Sequence, residues 1–191
     1  MGRFERWVLV GALGAALAGC ATAPRQAVAP PPPAPVPQQL PYRWTQGNAP
    51  QAHKDAVALF GPVALKPGDS LWAPSIPDGE AKIVIDLLTQ TFYVYRGDRL
   101  AGVSTISSGK KGKETPLGFW AVRTKKVKGF SRKYDNAPMP YMQMYDEKGI
   151  AFHAGKLPGY PASHGCVRLP LKFAERLYGL TKIGTKVIIE G

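Results

Sequence analysis

The chain has 191 residues, two cysteines and a formal net charge of +12 at pH 7. Two cysteines allow at most one disulfide, and the positive charge suits a polyanionic partner. Nucleic acid is not the expected polyanion, because that function requires a basic face with aromatic platforms or a known motif, and because the N-terminus is typical of an exported protein.

Residues 1–19 predict a secretory signal peptide rather than a transmembrane helix. Arg3 and Arg6 form a short basic region, and the apolar stretch that follows is shorter than a bilayer span. Residues 17–20, Leu-Ala-Gly-Cys, resemble a bacterial lipobox. The resemblance implies that Cys20 is diacylated and becomes the mature N-terminus, and the absence of Asp at Ala21 resembles lipoproteins of the outer membrane. The alternative is an ordinary signal peptide in which Cys20 is incidental.

The expected location is therefore the periplasmic face of the outer membrane of a Gram-negative bacterium, where the lipid on Cys20 holds the protein. Loss of residues 1–19 removes two arginines and one glutamate and leaves a charge of about +11. The polyanions available there are lipid headgroups and the carboxylates of peptidoglycan, and the charge does not choose between them. If Cys20 is acylated, Cys166 has no intramolecular partner. A lone thiol in an oxidising compartment is a liability unless its reactivity is used, so Cys166 is the first candidate for chemistry.

Two segments precede the expected folded domain. Residues 20–45 comprise the lipidated cysteine and a proline-rich linker, which includes the proline run at 30–33. Proline lacks the amide that a helix or a sheet requires, so residues 20–41 predict an extended polyproline spacer of roughly 65 Å, at ~3.1 Å per residue. Residues 46–79 contain one or two amphipathic turns at 51–60 and turn signals on either side of 70–75, and we expect an irregular lead-in.

Residues 80–191 predict one mainly β domain, a sandwich or curled barrel with one or two short helices. A helix is expected at 170–179, with Pro170 at its first position and Gly179 at its end. The expected strands are β-branched and aromatic runs bounded by turn residues, at 82–87, 91–96, 100–107, 118–127, 149–153 and 185–189.

The residues best suited to chemistry lie in one short segment, which contains His153, His164 and Cys166. Glycines and prolines between them predict a loop that returns His153, at a strand end, close to Cys166. A free thiol has a pKa near 8.5, so an imidazole within hydrogen-bond reach would activate it and could later protonate a leaving amine. Gly165 permits a tight turn, and the amides around Gly165 and Cys166 are candidates for an oxyanion hole.

The motif Ser163-His164-Gly165-Cys166-Val167-Arg168, with His153 upstream, resembles the signature of the L,D-transpeptidase catalytic domain, also called the YkuD domain. Residues 90–95, 107–110 and 114–120 are similar to further segments of that domain, so the resemblance covers about residues 80–191. The stretch between His153 and Ser163 is a few residues shorter than in many relatives, which affects the expected shape of the pocket mouth.

The resemblance implies a YkuD-type fold and a cysteine enzyme, without cofactor or metal, that acts on peptidoglycan tetrapeptide stems. Cys166 would attack the carbonyl on the L-centre of the diamino acid, expel D-alanine and hold the stem as a thioester. An amine of a second stem, or of an envelope lipoprotein, would then accept the stem. His153 matches the position of the family's proton donor and acceptor, oriented by a backbone carbonyl such as that of Ala154. Four residues match positions that shape the site or bind substrate, namely Ser163, His164, Gly165 and Arg168, and Arg168 could meet a substrate carboxylate.

Several alternatives remain open from the sequence. A hydrolase with the same acyl-enzyme would release stems or stem-bound lipoprotein to water, and a non-catalytic lipoprotein would only bind peptidoglycan, although binding needs neither a reactive thiol nor a base. Cys166 could also be a buried structural residue, or part of a metal site with His153 and His164 that lacks an evident fourth ligand. The basic residues at 125–128 and 132–133 form either a solvated loop or a surface that steers substrate.

Overall fold

The computed structural model of the protein describes residues 42–191. The predicted signal peptide, Cys20 and most of the proline-rich linker lie outside these residues. Two helices and ten strands follow in the order α1 Asn48–Phe60, β1 Ser70–Trp72, β2 Ala81–Asp86, β3 Thr91–Arg96, β4 Arg99–Thr105, β5 Gly118–Ala121, β6 Thr124–Phe130, β7 Pro138–Met144, β8 Ala151–Ala154, β9 Val167–Leu169, α2 Leu171–Leu180 and β10 Lys186–Glu190. Neither helix of this described part is long and apolar enough to cross a membrane.

The strands form two sheets. One sheet has six strands in the order β1-β4-β3-β2-β10-β5, and the other has four in the order β6-β7-β8-β9. In the larger sheet β10 runs parallel to β2 and antiparallel to β5. In the smaller sheet β8 and β9 run parallel, and every other pair is antiparallel. The prediction of a mainly β fold, a sandwich or curled barrel with one or two short helices, is confirmed, and the structure has two sheets and two helices.

The main core lies between the two sheets, and β3 shows how the sequence builds it. Phe92 and Val94 point to the inner face, where the Phe92 ring meets Phe152 of β8 edge-on at 5.5 Å. The alternate residues Tyr93 and Tyr95 point to the outer face and are also buried. Side chains alternate across a strand, so a strand covered on both faces reads as a continuous apolar run.

Helix α1 covers the outer face of the larger sheet. Its contact surface is a stripe of alanines, Ala49, Ala52 and Ala56, all fully buried against residues such as Val84 and Tyr93. Spacings of three and four residues place them on one helix face, and small side chains allow close approach to the sheet. The lead-in at 46–79 is therefore more regular than predicted, because the one or two turns expected at 51–60 are part of the 13-residue helix α1, and β1 pairs with β4.

A buried carboxylate anchors the start of α1 to the last strand. Glu190 accepts hydrogen bonds from the hydroxyl of Thr45 at 2.7 Å, the amides of Gln46 and Ala49 at 2.9 and 2.8 Å, and the amide and side chain of Asn48 at 3.2 and 3.0 Å. It therefore satisfies the free amides of the first helical turn and opposes the positive end of the helix dipole. Burial raises the pKa of Glu190, but the hydrogen bonds outweigh burial and leave the pKa lowered.

The strand predicted at 118–127 is two strands in different sheets, and the prediction is corrected here. β5 ends at Ala121 and β6 begins at Thr124, so the chain passes from the larger to the smaller sheet at Val122 and Arg123. The amide of Val122 donates to Thr185 at 2.9 Å and the amide of Arg123 donates to Met144 at 2.7 Å. The first of these amides thus bonds to the residue that precedes β10 of the larger sheet, and the second to the last residue of β7 in the smaller sheet, so both amides at the crossing are satisfied.

Replacing Glu190 with Gln should lower the free energy of unfolding by about 2 kcal/mol at pH 7, because an amide accepts these hydrogen bonds more weakly than a carboxylate. The folded-state pKa is lowered, so this stabilisation is present above the ordinary value of 4.5 and is lost as the pH falls through the folded-state value. Urea unfolding at several pH values should show the two proteins converging below pH 4.5.

Glu80→Gln is the matched control. Exposed Glu80 pairs with exposed Lys182 at 2.6 Å, so its loss should leave the urea midpoint nearly unchanged. Equal destabilisation by the two substitutions would contradict the anchoring role of Glu190.

Candidate active site

Cys166 lies in a tight turn that immediately precedes β9. Gly165 has φ +118°, a conformation that L side chains rarely adopt, and this explains the glycine before the cysteine. Buried Ser163 closes the turn, because its hydroxyl donates to the carbonyl of Cys166 and accepts from the amide of Gly165 at 3.0 Å. The Gly165 amide is thereby engaged within the turn, which leaves the Cys166 amide as the better oxyanion-hole candidate of the two.

A second segment supports this turn from behind. The hydroxyl of buried Thr115 donates to the carbonyl of Gly165 at 2.8 Å and accepts from the amide of Gly109 at 2.9 Å. A side chain at Gly109 would lie 2.0 Å from the carbonyl oxygen of Lys113, so only glycine fits there. Both residues lie in segments whose sequence resembles the YkuD domain, but the sequence predicts neither as a site residue. The Thr115 hydroxyl joins the backbone of Gly109 to that of Gly165, and this contact depends on the folded structure.

The Cys166 thiol lies against an apolar wall. Its side chain is half-buried and packs on the cluster of Met139, Met142 and Ala151. Burial raises the pKa of Cys166 above the ordinary thiol value, although a hydrogen bond from the backbone of Ala151 and the positive charge of Arg168 oppose the change. The resting group at neutral pH is consequently the thiol, which requires a base before it can act as a nucleophile.

His153 lies on β8, the neighbour of the strand that follows Cys166. The two strands are parallel and in register, with Phe152 opposite Val167 and His153 opposite Arg168. His153 is 8% exposed, and its Nδ1 lies 2.8 Å from the carbonyl oxygen of Ala154. A carbonyl only accepts, so Nδ1 carries the proton and Nε2 presents its lone pair. The orienting carbonyl expected from the sequence is thus present.

The electrostatic surroundings keep His153 neutral. Burial lowers the pKa of His153, and the positive charge of Arg168 lowers it further, while the hydrogen bond to Ala154 acts in the opposite direction. A neutral imidazole and a neutral thiol that line one cavity are in the protonation states that a general base and a nucleophile require before reaction. The structure does not favour a resting thiolate–imidazolium pair.

Arg168 and His164 lie on either side of the nucleophile. Arg168 is fixed through its backbone, which exchanges hydrogen bonds with Ser107 at 3.0 and 3.1 Å. His164 is exposed, and its ring stacks on Tyr134 with 4.4 Å between centroids and 18° between planes. Tyr134 belongs to the turn between β6 and β7, so His164 contacts that hairpin whereas His153 is held in the sheet. Tyr134 was not predicted as a site residue.

One open cavity of about 920 Å³ collects these groups. Its lining includes five of the six predicted site residues, His153, Ser163, His164, Cys166 and Arg168, and the sixth, Gly165, turns the backbone beneath them. The hairpin of β6 and β7 forms the opposite wall. Among residues 42–191, no group of three or more His, Cys, Asp or Glu side chains is arranged to hold a metal ion.

Comparisons with known proteins agree with this geometry. Residues 80–189 match the L,D-transpeptidase catalytic domain, YkuD. An L,D-transpeptidase from Stackebrandtia nassauensis shares 25% identity and a TM-score of 0.55, over 61% of this chain and 58% of that chain. An L,D-transpeptidase from Xylanimonas cellulosilytica shares 26% identity and a TM-score of 0.53, over 62% and 64%. One from Mycobacterium tuberculosis, at 23% identity and a TM-score of 0.55 over 58% and 57%, supports the fold alone. No curated protein matched the sequence.

The fold and the Ser-His-Gly-Cys turn define a YkuD-type domain. Because the family match covers more than half of the sequence, the chain belongs to the L,D-transpeptidase catalytic domain family. The alignment spans less than two thirds of the length of each of the three solved chains.

Proposed function

We propose that the protein is a peptidoglycan L,D-transpeptidase in which Cys166 is the nucleophile and His153 transfers the proton. The observation that carries the proposal is the parallel pairing of β8 with β9, which brings an oriented, neutral imidazole and the Cys166 turn to one open cavity. The family membership supplies the reaction class. A structural role for Cys166 is less consistent with a half-buried thiol that lines the cavity.

The first half-reaction forms the acyl-enzyme. Nε2 of His153 accepts the thiol proton as Sγ of Cys166 attacks the carbonyl carbon on the L-centre of the diamino acid in a tetrapeptide stem. The amide of Cys166 is available to stabilise the oxyanion. When the C–N bond to D-alanine breaks, the imidazolium gives its proton to the leaving amine, and the stem remains on Sγ as a thioester.

The second half-reaction transfers the stem. An amine attacks the thioester carbonyl, neutral His153 accepts the proton that the amine loses, and the resulting imidazolium gives that proton to the thiolate of Cys166 as the C–S bond breaks. The acceptor is the side-chain amine of a second stem or an amine of an envelope lipoprotein. Water in the same position would make the enzyme a hydrolase, and the products of the reaction distinguish the two.

We further propose that the protein is held by a lipid on Cys20 at the periplasmic face of the outer membrane. Two features of the sequence support this proposal. Residues 1–20 begin with a basic region, continue with an apolar stretch and end with small residues before Cys20, and a proline-rich stretch follows them. A spacer of roughly 65 Å would carry the catalytic domain from the membrane towards the peptidoglycan.

Cys166→Ala should abolish activity and leave the fold nearly unchanged, because the thiol supplies the covalent step and its turn is held by Ser163 and Thr115. The measurement is incubation with purified disaccharide-tetrapeptide, with mass spectra of protein and products. The native protein should gain the stem mass, release D-alanine and form cross-linked dimers. Tripeptide in place of dimers would identify a hydrolase, and a native protein without acyl-enzyme or product would overturn the enzyme proposal.

His153→Ala should slow acylation of Cys166 by roughly 10²–10⁴-fold, because it removes the general base. The native rate should fall as the pH drops through the pKa of His153, which lies below the ordinary value of 6.5, since only neutral imidazole accepts the proton. His164→Ala should still acylate at a measurable rate and should show the same fall in rate at low pH, because the His164 ring stacks on Tyr134 and is not the proposed base. The measurement is acylation across pH by intact-protein mass spectrometry, with folding checked by circular dichroism. If His164→Ala is acylated more slowly than His153→Ala, and His153→Ala keeps the native pH dependence, the roles of the two histidines are reversed.

Cys20→Ala should release the protein from the membrane fraction or leave an uncleaved precursor, because the lipid is the proposed membrane anchor. Fractionation of cells that produce the full chain measures this, and Cys166→Ala serves as a control for loss of a cysteine. Normal processing and continued sedimentation with the outer membrane would refute the lipobox assignment.

A further inference from the structure

The cavity that holds Cys166 and His153 is strongly basic. Six cationic side chains line it, and the single acidic residue in the lining is Glu147. Glu147 pairs with Arg123 at 3.3 Å, so it is already balanced by a cation from outside the lining. The cations are Lys126, Arg132, Lys133, Lys148, Lys156 and Arg168.

These cations lie on both sides of the nucleophile. Lys126, Arg132 and Lys133 belong to the β6–β7 hairpin, whereas Lys148, Lys156 and Arg168 come from segments around β8 and β9. None of the six takes part in an ion pair with any residue in 42–191. Like charges that face one volume without partners repel each other, and an anionic ligand in that volume relieves the repulsion.

The neighbouring Lys125 shows what a structural lysine looks like in the same strand. It turns away from the cavity, and its ammonium donates to the carbonyls of Tyr178 at 2.7 Å and Thr181 at 2.5 Å at the end of α2. It also lies 4.2 Å from the Tyr178 ring centroid. Lys126 has no such partner and lines the cavity. The basic segment 125–133 is therefore divided: Lys125 holds a helix end, Lys128 lies outside the cavity lining, and the other three cations line the cavity.

We infer that the cavity selects donor stems by their free carboxylates and discriminates against stems in which these groups are amidated. This inference rests on the proposed function, and it adds the chemical form of the substrate. A stem carries carboxylates near the scissile bond, on the glutamate and on the diamino acid when that residue is diaminopimelate. The cations converge on a concave volume around the nucleophile, which suits a short anionic peptide better than a flat lipid surface.

Carboxylates bonded to a guanidinium or ammonium lose a charge-assisted hydrogen bond when they become amides. Such a loss corresponds to roughly a 10- to 100-fold decrease in kcat/KM. Most of the decrease should appear in KM, because these carboxylates are not part of the reacting carbonyl and contact the ground state as well as the transition state. Salt should reduce the preference, because the hairpin cations are exposed.

The test uses two pairs of synthetic tetrapeptides. The members of the first pair differ only in the glutamate α-carboxylate, which is free in one and a carboxamide in the other. The members of the second pair differ in the same way in the side-chain carboxylate of diaminopimelate. D-alanine release and the acyl-enzyme mass are measured for each with the full protein. We expect the free acids to react 10- to 100-fold faster and the ratio to fall as salt is added. Equal rates with normal acyl-enzyme would overturn this inference and leave the proposed function intact. No acyl-enzyme from any donor would instead overturn the proposed function.

Arg132→Gln combined with Lys133→Gln links the preference to the cavity. The double variant removes two exposed charges from the hairpin and should lower the ratio of free-acid to amide rates. Lys54→Gln with Lys111→Gln is the matched control, because these exposed lysines lie outside the cavity lining and remove the same total charge. An unchanged ratio in the hairpin variant, or an equal fall in the control, would overturn the assignment to the cavity cations.

Discussion

The parallel pairing of β8 with β9 is the contact on which the active site depends. It is short, with three residue pairs, yet it fixes His153 on one strand and the turn of Cys166 at the start of the other. Hydrogen bonds along the pair cannot by themselves hold so short a contact. Phe152 and Val167, which face each other across it, are fully buried in the core between the sheets. The catalytic geometry is therefore supported by apolar packing immediately beneath it.

The same arrangement explains how the site combines rigidity with access. The Cys166 turn is tied to the 107–115 segment by the backbone of Ser163 and the hydroxyl of Thr115, and the imidazole of His153 is tied to its own strand. The opposite wall is the β6–β7 hairpin, which contacts the nucleophile segment through the stacking of Tyr134 on His164 and through Met139 and Met142, which pack against Cys166. Reacting groups are thus held by buried hydrogen bonds, whereas the wall that meets the substrate carries exposed, charged side chains. The reacting groups are therefore held in fixed positions, whereas the side chains that contact the substrate can adjust to it.

The sequence predicted some parts of this structure well because their information is local. β3 is an apolar run covered on both faces, and the Ser-His-Gly-Cys turn is short and specific, so both were recognised. Helix α1 was predicted only as one or two turns at 51–60, because its contact surface is only alanine and its first turn is satisfied by Glu190, 141 residues beyond Ala49. β7 was missed because Pro138 and Pro140 disfavour a strand, although every residue of β7 except Tyr141 pairs with β6. The support from Thr115 and the stacking of Tyr134 on His164 arise from long-range contacts that no local pattern contains.

The position of β10 bears on how the protein folds. This strand lies between β2 and β5, so the larger sheet has two unpaired edges in its interior until β10 inserts. Its pairing with β2 and the anchoring of α1 by Glu190 both join distant parts of the chain, and such non-local contacts are associated with slow folding. Before insertion, two strand edges and the alanine face of α1 would be open to other chains. Yield of the folded protein should thus depend on protection from aggregation during this interval, and a chaperone that shields strand edges would act on this intermediate more than on the native state.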